Sequence, residues 1–141
     1  MQKIVPFLWF DNNAEDAIRF YTSVFKDSKI IHLSPMVSIF ELNGQQLMAI
    51  NGGPQYKLTE AFSLMVNCET QEEVDYYWEK LCEGGSASRC GWLKDKYGLS
   101  WQIVPTVLGK LMSGNDPERA KRVMNAVLQM SKLDIATLES A

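Results

Sequence analysis

The chain is poor in the groups that announce chemistry most directly. Its 141 residues hold one histidine, His32, which reads as a loop or strand-end residue. Its three cysteines, Cys68, Cys82 and Cys90, are odd in number and show no C-x-x-C spacing. That excludes a disulfide framework and points to reduced thiols, each a small buried residue, in a cytoplasmic setting. There is no basic excess: 14 Lys and Arg stand against 17 Asp and Glu, a formal charge of -3 without a Lys/Arg cluster. A nucleic-acid-binding surface is therefore not expected. No apolar run reaches the roughly 20 residues a membrane helix needs, so no membrane partner is expected either. The first residues, Met1 to Pro6, run straight into a strand-like segment rather than forming a signal peptide.

What is present is an ordinary globular composition, 46% hydrophobic, in a length that suits one domain over 1–141. Ile4 to Phe10 reads as a strand. Asp11-Asn12-Asn13 breaks it and offers a helix cap, and Ala14, Ala17, Ile18, Tyr21, Val24 and Phe25 follow at helical spacing. Strands are expected over about 29–33, 36–42 and 46–50, the last two joined by the tight-turn pair Asn43-Gly44. Asn51-Gly52-Gly53-Pro54 reads as a flexible loop.

The order then repeats. Phe62 to Asn67 is strand-like, and Thr70-Gln71-Glu72-Glu73 is a capping box for a helix bearing Val74, Tyr77, Trp78 and Leu81. Gly84-Gly85 ends the helix, and strands follow over Cys90 to Lys94 and Leu99 to Val104 around the turn Asp95 to Gly98. An offset of about 57 residues lays Phe7 on Leu64, Trp9 on Val66 and Asn13 on Thr70. The fold class implied is α+β, with modules of about 1–54 and 60–105. C-terminal helices over 116–140 follow, the first capped by Asp116 with Pro117 in its first turn.

Two βαβββ modules in one chain, Phe20-Tyr21 in the first helix and Asp95-x-x-Gly98-x-x-Trp101-x-Ile103 in the last hairpin resemble the vicinal oxygen chelate superfamily of glyoxalases and bleomycin-resistance proteins. Pro6 to Phe10, Asn51 to Pro54, Asp75 to Trp78, Cys90 to Leu93 and Gly98 to Gln102 look more closely like its PhnB-like subgroup, often labelled 3-demethylubiquinone 3-methyltransferase-like. The resemblance covers nearly the whole chain and implies a cup-shaped mixed sheet and a homodimer. It also implies a longer glycine-rich connection between Ile30 and Met36 than the residues present here.

The family's metal-using members ligate one divalent ion with His, Gln and Glu. Those positions fall here near Ile4, Met48, Ala61 and Gln102, so no metal and no cofactor is expected. A nucleotide-type methyl donor would call for a glycine-rich strand-to-helix turn; Gly52-Gly53 and Gly84-Gly85 do not supply one, so the methyltransferase label draws no support. If Phe7, Trp9, Leu64, Val66, Trp101 and Ile103 face the helices, the cup is lined by Leu8, Phe10, Met48, Ile50, Ser63, Met65, Asn67, Gln102 and Val104. Glu60 stands at its mouth, and Cys90 and Trp92 at its edge. That set is mostly apolar with a few amides and hydroxyls, the character of a small-ligand pocket. The leading expectation is a metal-independent protein binding a small, largely apolar molecule, with or without catalysis. The alternatives are a superfamily enzyme with a relocated site using Gln102, Glu60 and Cys90, and a structural dimer module in which the same residues pack against a partner subunit.

Overall fold

The structure, a computed structural model, describes residues 2–141. The chain divides into two compact units, Met1–Thr59 and Glu60–Ala141. The first contains β1 (Phe7–Phe10), α1 (Ala14–Val24), β2 (Ser28–His32), β3 (Val37–Leu42) and β4 (Gln45–Asn51). Its sheet has the order β1-β4-β3-β2, with β1 parallel to β4 and the other pairs antiparallel. Asn43 and Gly44 take φ of 52° and 82°, the left-handed pair that a two-residue hairpin turn requires.

The helix α1 covers one face of this sheet. Its buried stripe is Ala14, Ala17, Ile18, Tyr21 and Val24, and the Tyr21 ring stacks on Phe40 of β3 at 6.4 Å between centroids. The expected cap at Asn13 is not made by its side chain. Asn51, at the end of β4, does that work instead: its Oδ1 accepts from the Ala14 amide at 2.9 Å, and its Nδ2 donates to Pro35 O at 3.1 Å. The short connection between β2 and β3 is a compact turn. Ser34 Oγ accepts from the Val37 amide at 3.0 Å, so no longer loop is needed.

The second unit repeats the pattern with β5 (Ser63–Cys68), α2 (Gln71–Cys82), β6 (Ser86–Ala87), β7 (Trp92–Lys94) and β8 (Ser100–Pro105). The sheet order is β5-β8-β7-β6, again with a parallel pair, β5 and β8, at one side. The capping box at the start of α2 is half as expected. Thr70 Oγ1 accepts from the Glu73 amide at 3.2 Å, but the Glu73 carboxylate reaches the amide of Glu69, not that of Thr70. Gly85 is required by close approach, because a Cβ there would lie 2.2 Å from Lys94 O.

Three further helices complete this unit: α3 (Thr106–Met112), α4 (Pro117–Leu128) and α5 (Ile135–Ser140). Asp116 caps α4 as expected, accepting from the Arg119 amide at 3.1 Å. Helix α3 was not expected; its sequence, Thr-Val-Leu-Gly-Lys-Leu-Met, is too short to show a clear period. Val123, Val127, Leu133 and Leu138 form a buried cluster to which Cys90, Leu108 and Leu111 pack. No helix is long and apolar enough to cross a membrane among the described residues.

Candidate ligand site on the open sheet faces

The strand registers decide which side chains share a face. In the first sheet Phe7 pairs with Met48, Met48 with Ile39, and Ile39 with His32; the adjacent row runs Trp9, Ile50, Val37. These rows lie on the face opposite Phe40 and α1, and Phe7 remains 51% exposed. Leu8 and Phe10 point the other way. They are buried in the α1 core with Leu47 and Ala49, which corrects their expected place in the ligand-lining set.

The cause is a one-residue slip in the repeat. Phe7 pairs with Met48 as Met65 pairs with Gln102, so the strands match at an offset of 58, not 57, while the helices α1 and α2 still begin 57 apart. The link between β1 and α1 is one residue longer than that between β5 and α2. A one-residue shift turns every side chain of a strand to the other face. Phe10 therefore corresponds to Cys68, and both are buried.

Trp9 on this open face is held by its own unit. Its Nε1 donates to Gly53 O at 2.9 Å, and its ring meets Tyr56 edge-on at 5.0 Å. A Cβ at Gly52 would fall 2.3 Å from the indole. The Asn51 to Pro54 segment is thus clamped on Trp9 rather than free, contrary to its reading as a flexible loop. His32 ends β2, a strand-end residue as expected. A bulge at Ile31 turns it into the row of Met48, two strands away, about 10 Å at ordinary strand spacing.

In the second sheet the alternation holds as read. Trp101 and Ile103 are buried, whereas Trp92, Gln102 and Met65 form a transverse row on the opposite face, with Met65 54% exposed. The neighbouring row is polar: Ser86, Lys94, Ser100 and Ser63 follow one another across β6, β7, β8 and β5. Gln102 Nε2 donates to Ser63 Oγ at 2.9 Å. Glu60, exposed just before β5, forms an ion pair with Lys94, whose hydrogen bond and charge hold the Glu60 carboxyl below its ordinary range. A cavity of about 510 Å³ opens here, lined by Glu60, Ser86, Ser88, Trp92, Lys94 and Ser100 among others.

Cys90 does not join this group. Its φ of 61° and that of Gly91, 84°, keep the strand from starting before Trp92. The Cys90 amide donates to Met130 O at 2.8 Å, and its side chain packs on the α4–α5 cluster. This corrects its expected place at the edge of the ligand site.

The family's metal does not fit the residues at its positions. Ile4 and Ala61 lie outside β1 and β5 and offer no side-chain donor, Met48 offers only a thioether, and Gln102 offers only a neutral amide oxygen, too little to anchor an ion alone. Among the described residues no three His, Cys, Asp or Glu gather where they could hold an ion. A nucleotide methyl donor fits no better: Gly52-Gly53 leads from β4 toward β5, and Gly84-Gly85 leads from α2 into β6, so neither is a strand-to-helix turn.

Comparison with known proteins accords with this architecture. The family model for 3-demethylubiquinone-9 3-methyltransferase matches residues 2–104. The PhnB protein of Bacillus cereus is 36% identical over 74% of this chain and 100% of its own, with a TM-score of 0.68. A Pseudomonas aeruginosa protein is 20% identical over 74% of this chain and 98% of its own, with a TM-score of 0.62. The fosfomycin resistance protein FosX of Listeria monocytogenes, solved with Mn(II) and sulfate, shares the fold at 15% identity, 79% and 96% coverage and a TM-score of 0.58. No curated protein matches. The chain belongs to the 3-demethylubiquinone-9 3-methyltransferase family, as a PhnB-like protein of the vicinal oxygen chelate fold.

Proposed function

We propose that this PhnB-like protein binds a small, largely apolar molecule on an open sheet face without using a metal, and that the methyltransferase label does not describe its chemistry. One observation carries the reading. Phe7, Trp9, Met48 and Ile50 lie together on a face that α1 does not cover, and the family's ligand positions bear no competent donor set. Met65 and Trp92 give the second sheet the same character beside Gln102 and Ser63. Apolar walls with a few convergent polar groups are the usual make-up of small-molecule sites. The relocated-site alternative loses Cys90, which packs on the C-terminal helices, and so keeps only Gln102 and Glu60.

The protein is further proposed to act in the cytoplasm as a homodimer. Its three cysteines are free, and Met124 and Leu128 remain 39% and 48% exposed on α4, four residues apart on one helix face. Native mass spectrometry of the purified protein tests the binding reading. An organic adduct on the chain, or saturable quenching of tryptophan fluorescence by a neutral aromatic such as benzyl alcohol, is expected. Absence of both, with no adduct from any aromatic tested, contradicts it.

A further inference from the structure

The polar row of the second sheet carries an assignment of ligand chemistry. Ser86, Lys94, Ser100 and Ser63 stand side by side on four adjacent strands, next to the row of Trp92, Gln102 and Met65. Two features of this cavity are unusual. Ser100 is 1% exposed, and its Oγ is the only buried side-chain nitrogen or oxygen without a hydrogen-bond partner among the described residues. A buried hydroxyl left without a partner carries a desolvation cost, and such groups call for a functional or ligand-related explanation. The second feature is the Lys94 ammonium. It takes a carboxylate from the exposed Glu60, a residue of the segment before β5 rather than of the sheet.

We propose that the cavity binds a small organic acid. Its carboxylate replaces that of Glu60 on Lys94 and accepts a hydrogen bond from Ser100, and its apolar body lies against Trp92. Glu60 then acts as an internal stand-in, holding the ammonium until an external carboxylate displaces it. Lys94 supplies the charge-assisted contact, and the serine hydroxyls, which rotate freely, supply the directional ones. The Glu60–Lys94 pair is solvent-exposed and therefore weak, so releasing Glu60 costs little, and a carboxylate held by Lys94 and Ser100 together, with its body on Trp92, gains over it. This assignment rests on the reading that the open face of the second sheet binds a small ligand.

The test uses the full chain and three probes, benzoate, benzyl alcohol and inorganic phosphate, followed by ¹H–¹⁵N spectra of the Trp92 indole and the Lys94 and Ser100 amides. Benzoate is expected to shift all three saturably and to bind about tenfold more tightly than benzyl alcohol or phosphate. Lys94→Gln and Ser100→Ala should each weaken benzoate about tenfold and leave benzyl alcohol unchanged. Glu60→Gln, at an exposed site that does not threaten folding, should tighten benzoate by removing its competitor. If benzyl alcohol shifts the Trp92 indole as strongly as benzoate, and Lys94→Gln changes neither, the organic-acid assignment is overturned while apolar binding stands. Phosphate binding as tightly as benzoate overturns it in favour of a bare anion site. If no probe shifts these signals, both readings fail for this sheet.

Discussion

At the scale of single residues, the clearest structural role belongs to Asp95. It is 3% exposed, and its Oδ1 accepts from the amides of Tyr97 and Leu99 at 2.8 and 3.1 Å. Its Oδ2 accepts from Trp101 Nε1 at 2.8 Å. One carboxylate thus closes the β7–β8 turn and anchors the largest side chain of the second core. The Asp-x-x-Gly-x-x-Trp spacing was legible as a hairpin, but the bond between its ends was not, because spacing alone does not say where the indole points. Asp95→Ala should lower stability by about 3 kcal/mol, since three donors lose a charged acceptor. Urea unfolding monitored by tryptophan fluorescence measures this, and a change under about 0.5 kcal/mol would contradict the role.

Cys68 makes a second prediction at this scale. Burial, with a smaller push from the Glu73 carboxylate, raises its thiol to about 12 from an ordinary value of 9.0. The unfolded chain therefore releases this proton near pH 9 while the folded chain keeps it. Cys68 costs nothing below that pH, and stability falls as pH rises from 9.0 toward 12. Comparing guanidinium midpoints at about pH 8 and about pH 10.5, the advantage of the native residue over Cys68→Ala should shrink at the higher pH. An advantage that grows instead would contradict this account.

At the scale of elements, most strands and helices were legible from periodicity and turn residues, and the errors have local causes. The cap of α1 is the plainest. Asn13 has the right type and place, yet the acceptor for the Ala14 amide is Asn51, brought from 37 positions away by the β1–β4 pairing. Asn51→Ala should cost about 1 kcal/mol and Asn13→Ala under about 0.5, measured by thermal unfolding. The reverse order would restore Asn13 as the cap. The early start expected for β7 failed at Cys90, where a positive φ at a residue other than glycine leaves no mark in composition. Leu8 and Phe10 were misplaced because both faces of β1 are apolar, so alternation could not choose between them and the repeat offset chose wrongly by one. In β8, where Gln102 interrupts the apolar run, the faces were legible.

At the scale of the whole molecule, the family match ends at residue 104, and α3, α4 and α5 lie beyond it. These helices are tied to the second module at named points. Gln71 donates to Leu133 O at 3.1 Å and accepts from the Ile135 amide at 2.8 Å, and Lys132 pairs with Asp75 at 2.8 Å. Arg89 donates to Leu128 O at 3.2 Å, so the segment leading to Trp92 is held from the same side. What this addition leaves uncovered is the pair Met124 and Leu128. Sedimentation of the native chain at micromolar concentration should give a dimer, and Met124→Glu with Leu128→Glu should give a folded monomer. A native monomer would contradict the proposed assembly.

The central proposal is that this chain works without an ion such as the Mn(II) with which its fold neighbour FosX was solved. The proposal rests on donor chemistry: at the family's ligand positions Ile4 and Ala61 offer no donor, Met48 only a thioether and Gln102 only a neutral amide oxygen. The most direct measurement is metal content of the chain, purified without chelator, incubated with manganese, nickel and zinc, then dialysed. Far less than one equivalent of any ion should remain. One equivalent retained through dialysis, and lost in Gln102→Ala, would contradict the account.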